Sequence, residues 1–136
     1  MLIHCSGHCG TTAAEYTARA LPRRICTALY NLTDSLDPKN EGYQARISAL
    51  LLEEIENFDK EIGEAVLALC KKPEKLTESQ ALDLVQKNSE VLSRAYHGTT
   101  LTIALVNRTQ EAMWLAGVGD STVGKCECYN STHKFL

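Results

Sequence analysis

A run of apolar residues between positions 45 and 70 constrains the fold of this chain more than any other feature of the sequence. Its members are spaced by threes and fours: Ile47, Leu51, Ile55, Phe58, Ile62, Val66 and Leu69. Since an α-helix has about 3.6 residues per turn, this spacing places them in one stripe along a single face. The acidic residues between them are expected to face water. The pattern predicts a long amphipathic helix over residues 45–70, ended by Pro73, with its apolar stripe packed into a core.

A shorter helix is predicted before the long one. It begins near Thr12, with Glu15 at capping-box spacing, and Pro22 discourages its continuation. A weaker helical stretch follows over residues 25–32. Residues 33–42 have the Asp, Ser, Pro, Asn and Gly content that is typical of a loop.

Another helix is predicted after the long one. Residues 77–80, from Thr77 to Gln80, again have capping-box spacing. Leu82, Val85 and Leu92 fall on one side of the helix that begins there.

Strands are predicted at both ends of the chain. Residues 2–5 are apolar and enter a glycine-containing turn over residues 6–10. Residues 99–106 and 112–118 alternate and are rich in β-branched or apolar side chains, which predicts an antiparallel hairpin. Residues 122–123 are expected to begin one more strand. Helices together with antiparallel strands place the chain in the α+β class.

Residues 124–136 show neither the helical nor the strand period, and we interpret them as a divergent, disordered tail.

The composition excludes several classes of protein. A formal charge of −3 gives no electrostatic reason to expect nucleic acid or an anionic membrane as a partner. No apolar run is long enough to span a bilayer, and the N-terminus lacks the features of a signal peptide. The six cysteines are therefore interpreted as reduced thiols. We expect a soluble, intracellular protein of one domain, with cytoplasm, nucleus and mitochondrion not distinguished.

Three short blocks carry a resemblance to a known family. Residues 6–16 read Ser-Gly-His-Cys-Gly-Thr-Thr-Ala-Ala-Glu-Tyr, residues 98–105 read Gly-Thr-Thr-Leu-Thr-Ile-Ala-Leu, and residues 115–121 read Leu-Ala-Gly-Val-Gly-Asp-Ser. They resemble, in family order, the Asp-Gly-His-Gly-Gly turn, the Gly-Ser/Thr-Thr-Ala strand and the Val-Ala-Asn-x-Gly-Asp-Ser turn of metal-dependent serine/threonine protein phosphatases of the 2C-like (PPM) type. By this resemblance, residues 1–123 form a partial PPM-type domain.

The resemblance implies a fold, a cofactor and a reaction. The fold is a partial α-β-β-α sandwich, in which two Mn²⁺ or Mg²⁺ ions lie between two sheets, held by carboxylates and water. A bridging water attacks the phosphoryl group of a phosphoserine or phosphothreonine in a protein substrate. By position, His8 matches the general acid, the carbonyl of Gly7 matches a group in the metal shell, and Asp120 matches an aspartate of an additional metal site.

The chain departs from the family where charge matters most. Ser6 stands where the family has the aspartate that bridges both metals, and a neutral hydroxyl cannot supply that charge. Other acidic ligands of the family have no counterpart, as if the domain were incomplete at both ends. We therefore expect weak or absent activity, either because the chain is a piece of an active phosphatase or because it is a non-catalytic, partner-binding domain of phosphatase origin.

Other interpretations of the same residues remain open. His8 can be a turn histidine, and Asp120 can cap local amides. A zinc site is another possibility, because the chain has histidine and cysteine side chains that zinc prefers: His4, Cys5, His8, Cys9, Cys126, Cys128 and His133. Their spacing is unusual for zinc, and His4 and Cys5 are expected on opposite strand faces. A hydrolase triad of Ser6, His8 and Asp120 is disfavoured because the first two are too close in sequence to act as independently positioned nucleophile and base.

Overall fold

The structure is a computed structural model that describes residues 1–33 and 42–124. It combines helices with an antiparallel sheet, which confirms the α+β class. The elements in chain order are β1 (Leu2–His8), α1 (Thr12–Thr33), α2 (Tyr43–Leu69), a short 3-10 helix (Pro73–Lys75), α3 (Glu78–Lys87), α4 (Ser89–Tyr96), β2 (Gly98–Asn107) and β3 (Ala112–Val118). Most of the predicted loop at 33–42 and of the predicted tail at 124–136 lies outside the described residues.

The long amphipathic helix is confirmed as α2. Its N-terminal two thirds carry the residues that are buried most deeply: Tyr43, Ile47, Leu50, Leu51 and Phe58. Ile55 and Ile62 pack against the same core from partly buried positions. Leu67, near the C-terminal end, is 71% exposed, so the last turns of α2 extend beyond the core.

The prediction that Pro22 ends the first helix is wrong. Helix α1 continues through Pro22 to Thr33 and includes the stretch predicted as a separate, weaker helix. An interior proline costs a helix about 3 kcal/mol. Leu21 and Ile25, which flank it, are 1% and 0% exposed. Burying two such side chains contributes roughly 1.5–3 kcal/mol each, enough to offset that cost.

The sheet has the order β1-β2-β3, and both neighbouring pairs are antiparallel. The predicted hairpin is confirmed, with Leu101 opposite Val118 and Asn107 opposite Ala112. Strand β1 is longer than predicted: it runs to His8, which pairs with Gly98, so the turn contains fewer residues than expected. Residues 122–123 form no strand.

One face of the sheet packs against the helices. The core cluster joins α1, α2 and β2 and consists of Leu21, Ile25, Tyr43, Ile47, Leu51, Phe58, Leu101 and Ile103. Tyr16 stacks on Phe58 with ring centroids 5.3 Å apart, which links the start of α1 to the middle of α2. The result is one helical layer on one sheet, with the central strand at its core.

The segment after α2 is helical as predicted, but it forms two helices, α3 and α4, on either side of Asn88 rather than one. The capping box is confirmed, since the Thr77 hydroxyl accepts from the Gln80 amide and the Gln80 side chain accepts from the Thr77 amide. Leu82 and Val85, which were predicted to share one side of the helix, are 57% and 52% exposed. Helix α3 contacts α4, and it is α4 that packs on α1 and α2. None of the helices in the described ranges has the length and apolar content needed to cross a bilayer.

Candidate functional site

The bend between β1 and α1 is built on two glycines. Cys9 has φ 60° and Gly10 has φ 149°, so the chain reverses within two residues before α1 begins at Thr12. A Cβ on Gly7 would lie 2.3 Å from the carbonyl oxygen of Gly10, so the bend closes only because residue 7 has no side chain. This geometry holds His8 at the tip of β1.

The imidazole of His97 covers the other glycine of the bend. A Cβ on Gly10 would lie 2.3–2.5 Å from three ring atoms of His97, so the ring rests directly on the glycine. His97 Nδ1 is buried and has no hydrogen-bond partner among the described residues. The contact is therefore one of packing, and it fixes the bend to the start of β2.

The three family-like blocks lie at the same end of the sheet. Gly7 and His8 of the first block pair with Thr99 and Gly98 of the second. Gly119 of the third block, with φ 85°, approaches Thr100 so closely that a Cβ would lie 2.9 Å from its methyl carbon. The second block is thus in direct contact with the other two.

Side-chain hydroxyls connect these blocks. The single proton of Thr99 Oγ1 is shared between the carbonyl oxygen of Thr100 at 2.9 Å and that of Ser6 at 3.3 Å. Thr100 Oγ1 and Ser121 Oγ share a hydrogen bond of 2.5 Å. These bonds join β1 to β2 and β2 to the turn after β3, in addition to the backbone ladder.

The side chains of β1 alternate between two faces. Ile3 and Cys5 pack against the core under the helices. His4, Ser6 and His8 are exposed and lie on the opposite face of the strand. Burial raises the pKa of the Cys5 thiol, as expected on the helix side.

His8 and Asp120 are both exposed. Within residues 1–33 and 42–124 neither side chain makes a hydrogen bond or an ion pair. The strands that carry or precede them, β1 and β3, flank β2 on opposite sides. Two strand spacings separate their backbones by about 10 Å. Asp120 therefore lies at the same end of the sheet as Gly7 and His8, but on the opposite side of β2.

The site residues that the family resemblance implies do not by themselves fit a pair of divalent cations. In the described part of the chain, no three His, Cys, Asp or Glu side chains are grouped so that they could hold a metal ion. Asp120 is the one carboxylate among Ser6, Gly7, His8 and Asp120, whereas Mn²⁺ and Mg²⁺ sites depend on several oxygen ligands with negative charge.

The alternative sites are placed as follows. His4 is exposed and Cys5 is half-buried, in agreement with the expected opposite faces. Three of the soft ligands considered for zinc, Cys126, Cys128 and His133, lie outside the described residues. Ser6 and His8 lie on one face of the same strand, and Asp120 follows a strand two positions away.

Comparison with known proteins adds no relative. No family model, no curated protein and no solved structure matches this chain.

Sequence reasoning missed the contribution of His97. It directly precedes the Gly98 block, and that adjacency is the one local signal that could have drawn attention to it. Nothing in the pattern pairs it with Gly10, which is 87 positions away along the chain. The Thr100–Ser121 hydrogen bond was missed for the same reason, because it depends on the strand register.

Proposed function

We propose that this chain is a phosphatase-like domain of the PPM type, whose family reaction is hydrolysis of phosphoserine or phosphothreonine in proteins. The observation that carries the proposal is the meeting of the three family-like blocks at one end of the sheet, with His8 opposite Gly98 and Gly119 against Thr100. Three short strings scattered in a sequence need not adjoin in space. Their adjacency supports the resemblance.

In this proposal each residue has a limited role. His8 is exposed at the tip of β1, where an imidazole can give a proton to a leaving serine or threonine alkoxide. Gly7 offers a carbonyl oxygen and Asp120 a carboxylate. Mn²⁺ or Mg²⁺, when bound in this family, supplies charge neutralisation and an activated water. Because Ser6 is neutral, we propose that metal binding and turnover are weak or absent in this chain.

A second candidate is a non-catalytic domain that binds a protein partner. It is favoured by the uncovered face of the sheet, which has four exposed apolar side chains: Leu2, Val106, Met113 and Leu115. In the strand register, residues 104, 106, 113 and 115 lie on the same face as His4, Ser6 and His8, opposite the helices. Exposed apolar area of this kind is typical of surfaces that become covered.

The first experiment measures hydrolysis of a phosphothreonine peptide by the purified chain with and without Mn²⁺. We expect no metal-dependent turnover. Turnover above background that disappears in His8→Ala would contradict the proposed inactivity and would support His8 as the general acid.

The second experiment tests whether this end of the sheet binds a metal ion once a carboxylate is placed at position 6. Ser6→Asp restores a carboxylate at the position of the bridging aspartate, and Ser6→Asn is the neutral control of the same shape. Calorimetry with Mn²⁺ should show binding strengthened at least about tenfold in Ser6→Asp alone, because ligand charge sets affinity for hard cations. Equal behaviour of the two variants would count against the phosphatase-like assignment.

A further inference from the structure

A small cavity lies on the helix side of the sheet, away from the face that carries His8. It has a volume of about 260 Å³ and lies between α1, α2 and the ends of β2 and β3. Leu21, Phe58 and Leu101 give it mainly apolar walls. A protein cavity of roughly 150 Å³ accommodates benzene, so this one has room for a ligand of about ten heavy atoms.

The buried wall of this cavity includes Thr17, whose hydroxyl has no partner in the part of the chain that the structure describes. Thr17 is 3% exposed and is the one buried polar residue in the described part of the chain. Helical threonines commonly return their hydroxyl to a carbonyl four residues earlier. Thr27 does so, donating to the Arg23 carbonyl oxygen at 3.0 Å. Thr17 makes no such bond within the described residues, so its hydroxyl is available to a molecule in the cavity.

The solvent side of the cavity carries two carboxylates. Glu56 and Asp59 line it from α2, and both are exposed. Other acidic residues of α2 have basic partners: Glu54 and Glu61 pair with Arg24, Glu53 with Arg46, and Glu64 with Lys60. Across residues 1–33 and 42–124, Glu56 and Asp59 have no such partner. The rim of the cavity is therefore negative and uncompensated.

We propose that this cavity binds a small organic cation, namely a primary amine with an apolar chain and a hydroxyl group at its far end. The apolar chain lies against Leu21, Phe58 and Leu101. The ammonium group stays at the solvent side beside Glu56 and Asp59. The far hydroxyl forms a hydrogen bond with the Thr17 hydroxyl, which has no protein partner among the described residues.

The test compares three probes by titrating the isotope-labelled chain and following its amide NMR signals. 6-Amino-1-hexanol has both polar ends, n-hexylamine lacks the inner hydroxyl, and 1-hexanol lacks the ammonium group. We expect 6-amino-1-hexanol to bind with a dissociation constant on the order of 1 mM, as is usual for a ligand of its size. The signals of residues 17, 58 and 101 should shift, and each truncated probe should bind roughly fivefold more weakly.

Variants assign the two ends of the ligand. Thr17→Val removes the hydroxyl at nearly constant shape and should abolish the preference for 6-amino-1-hexanol over n-hexylamine. Glu56→Gln combined with Asp59→Asn should weaken both amines by roughly five- to tenfold and leave 1-hexanol unchanged. The control that combines Glu53→Gln with Glu64→Gln removes the same two charges from α2 at positions that do not line the cavity, and it should alter nothing.

Three results would overturn the proposal. One is the absence of shifts for any probe up to roughly twenty times the expected dissociation constant of about 1 mM. Another is equal binding of 1-hexanol and 6-amino-1-hexanol to the unmodified chain. The last is a set of amide signal changes that is confined to residues on the opposite face of the sheet. Because the probe comparison uses the unmodified chain, it decides the matter even where Thr17→Val does not fold.

Discussion

Replacing Gly10 by alanine tests the bend that holds His8, and the structure gives the expected size of the effect. At φ 149° a residue with a Cβ is strained, at a cost of about 1–3 kcal/mol. The new Cβ would also lie 2.3 Å from the nearest ring atom of His97, whereas ordinary contacts begin at 3.4 Å. Moving a packed ring aside costs about 1–3 kcal/mol more. We therefore expect Gly10→Ala to lower the free energy of unfolding by about 2–6 kcal/mol.

The two causes separate in a double-mutant cycle. His97→Ala removes the ring and should cost about 0.5–3 kcal/mol by itself. In that background the clash is gone, so Gly10→Ala should cost only the backbone share of about 1–3 kcal/mol. The coupling between the two positions should then be about 1–3 kcal/mol, well above the additivity error of roughly 0.5 kcal/mol.

Urea unfolding followed by far-ultraviolet circular dichroism measures each free energy by linear extrapolation. Gly63→Ala is the matched control, because Gly63 lies inside α2 and its added Cβ would meet no described atom within 4 Å other than the nearby backbone of the helix itself. That variant should gain about 0.5–1 kcal/mol from helix propensity. Additive losses at Gly10 and His97, or a Gly10→Ala variant as stable as the unmodified chain, would refute the geometry described for the bend.

Two further predictions concern other parts of the chain. Thr77→Ala removes the capping box and should destabilise α3 by about 1 kcal/mol. Since α3 contacts mainly α4, amide hydrogen exchange should become faster in α3 while the melting temperature of the whole chain barely changes. A large drop in melting temperature would contradict this. Burial raises the pKa of the Cys5 thiol above its ordinary value of 9.0. Above pH 9.0 the unfolded state therefore releases a proton that the folded state keeps, and the free energy of unfolding should fall as the pH rises further. This fall should be absent in Cys5→Ala, and a thiol reagent should label the exposed Cys9 and Cys26 before Cys5.

The proposed function and the cavity are tested independently. The site proposed for phosphatase-like chemistry lies on the sheet face and tip that carry Ser6 and His8. The cavity lies on the other face, under the helices, and depends on Thr17, Glu56 and Asp59. Failure of metal binding in Ser6→Asp therefore says nothing about amine binding, and the reverse also holds.

Local patterns in the sequence were sufficient for much of the fold. Helix α2, the β2–β3 hairpin and the capping box at Thr77 each depend on residues close together in the chain, so periodicity and cap chemistry predict them. Gly10 was also predictable, because a reversal directly before a helix needs dihedral angles that favour glycine. The need for glycine at position 7 was not, because it comes from the close approach of the Gly10 carbonyl oxygen. The side chains proposed for the site, His8 and Asp120, were found the same way, from short motifs.

Tertiary structure decided the remainder, because it depends on groups that are distant in the chain. Pro22 stays inside α1 since the burial of Leu21 and Ile25 outweighs one lost hydrogen bond, and that burial exists only once α2 and the sheet are in place. The pairing of β1 with β2, the packing of His97 on Gly10 and the cavity around Thr17 likewise appear only when distant segments meet. Periodicity reports which side of an element is apolar, but it carries no information about which partner covers that side.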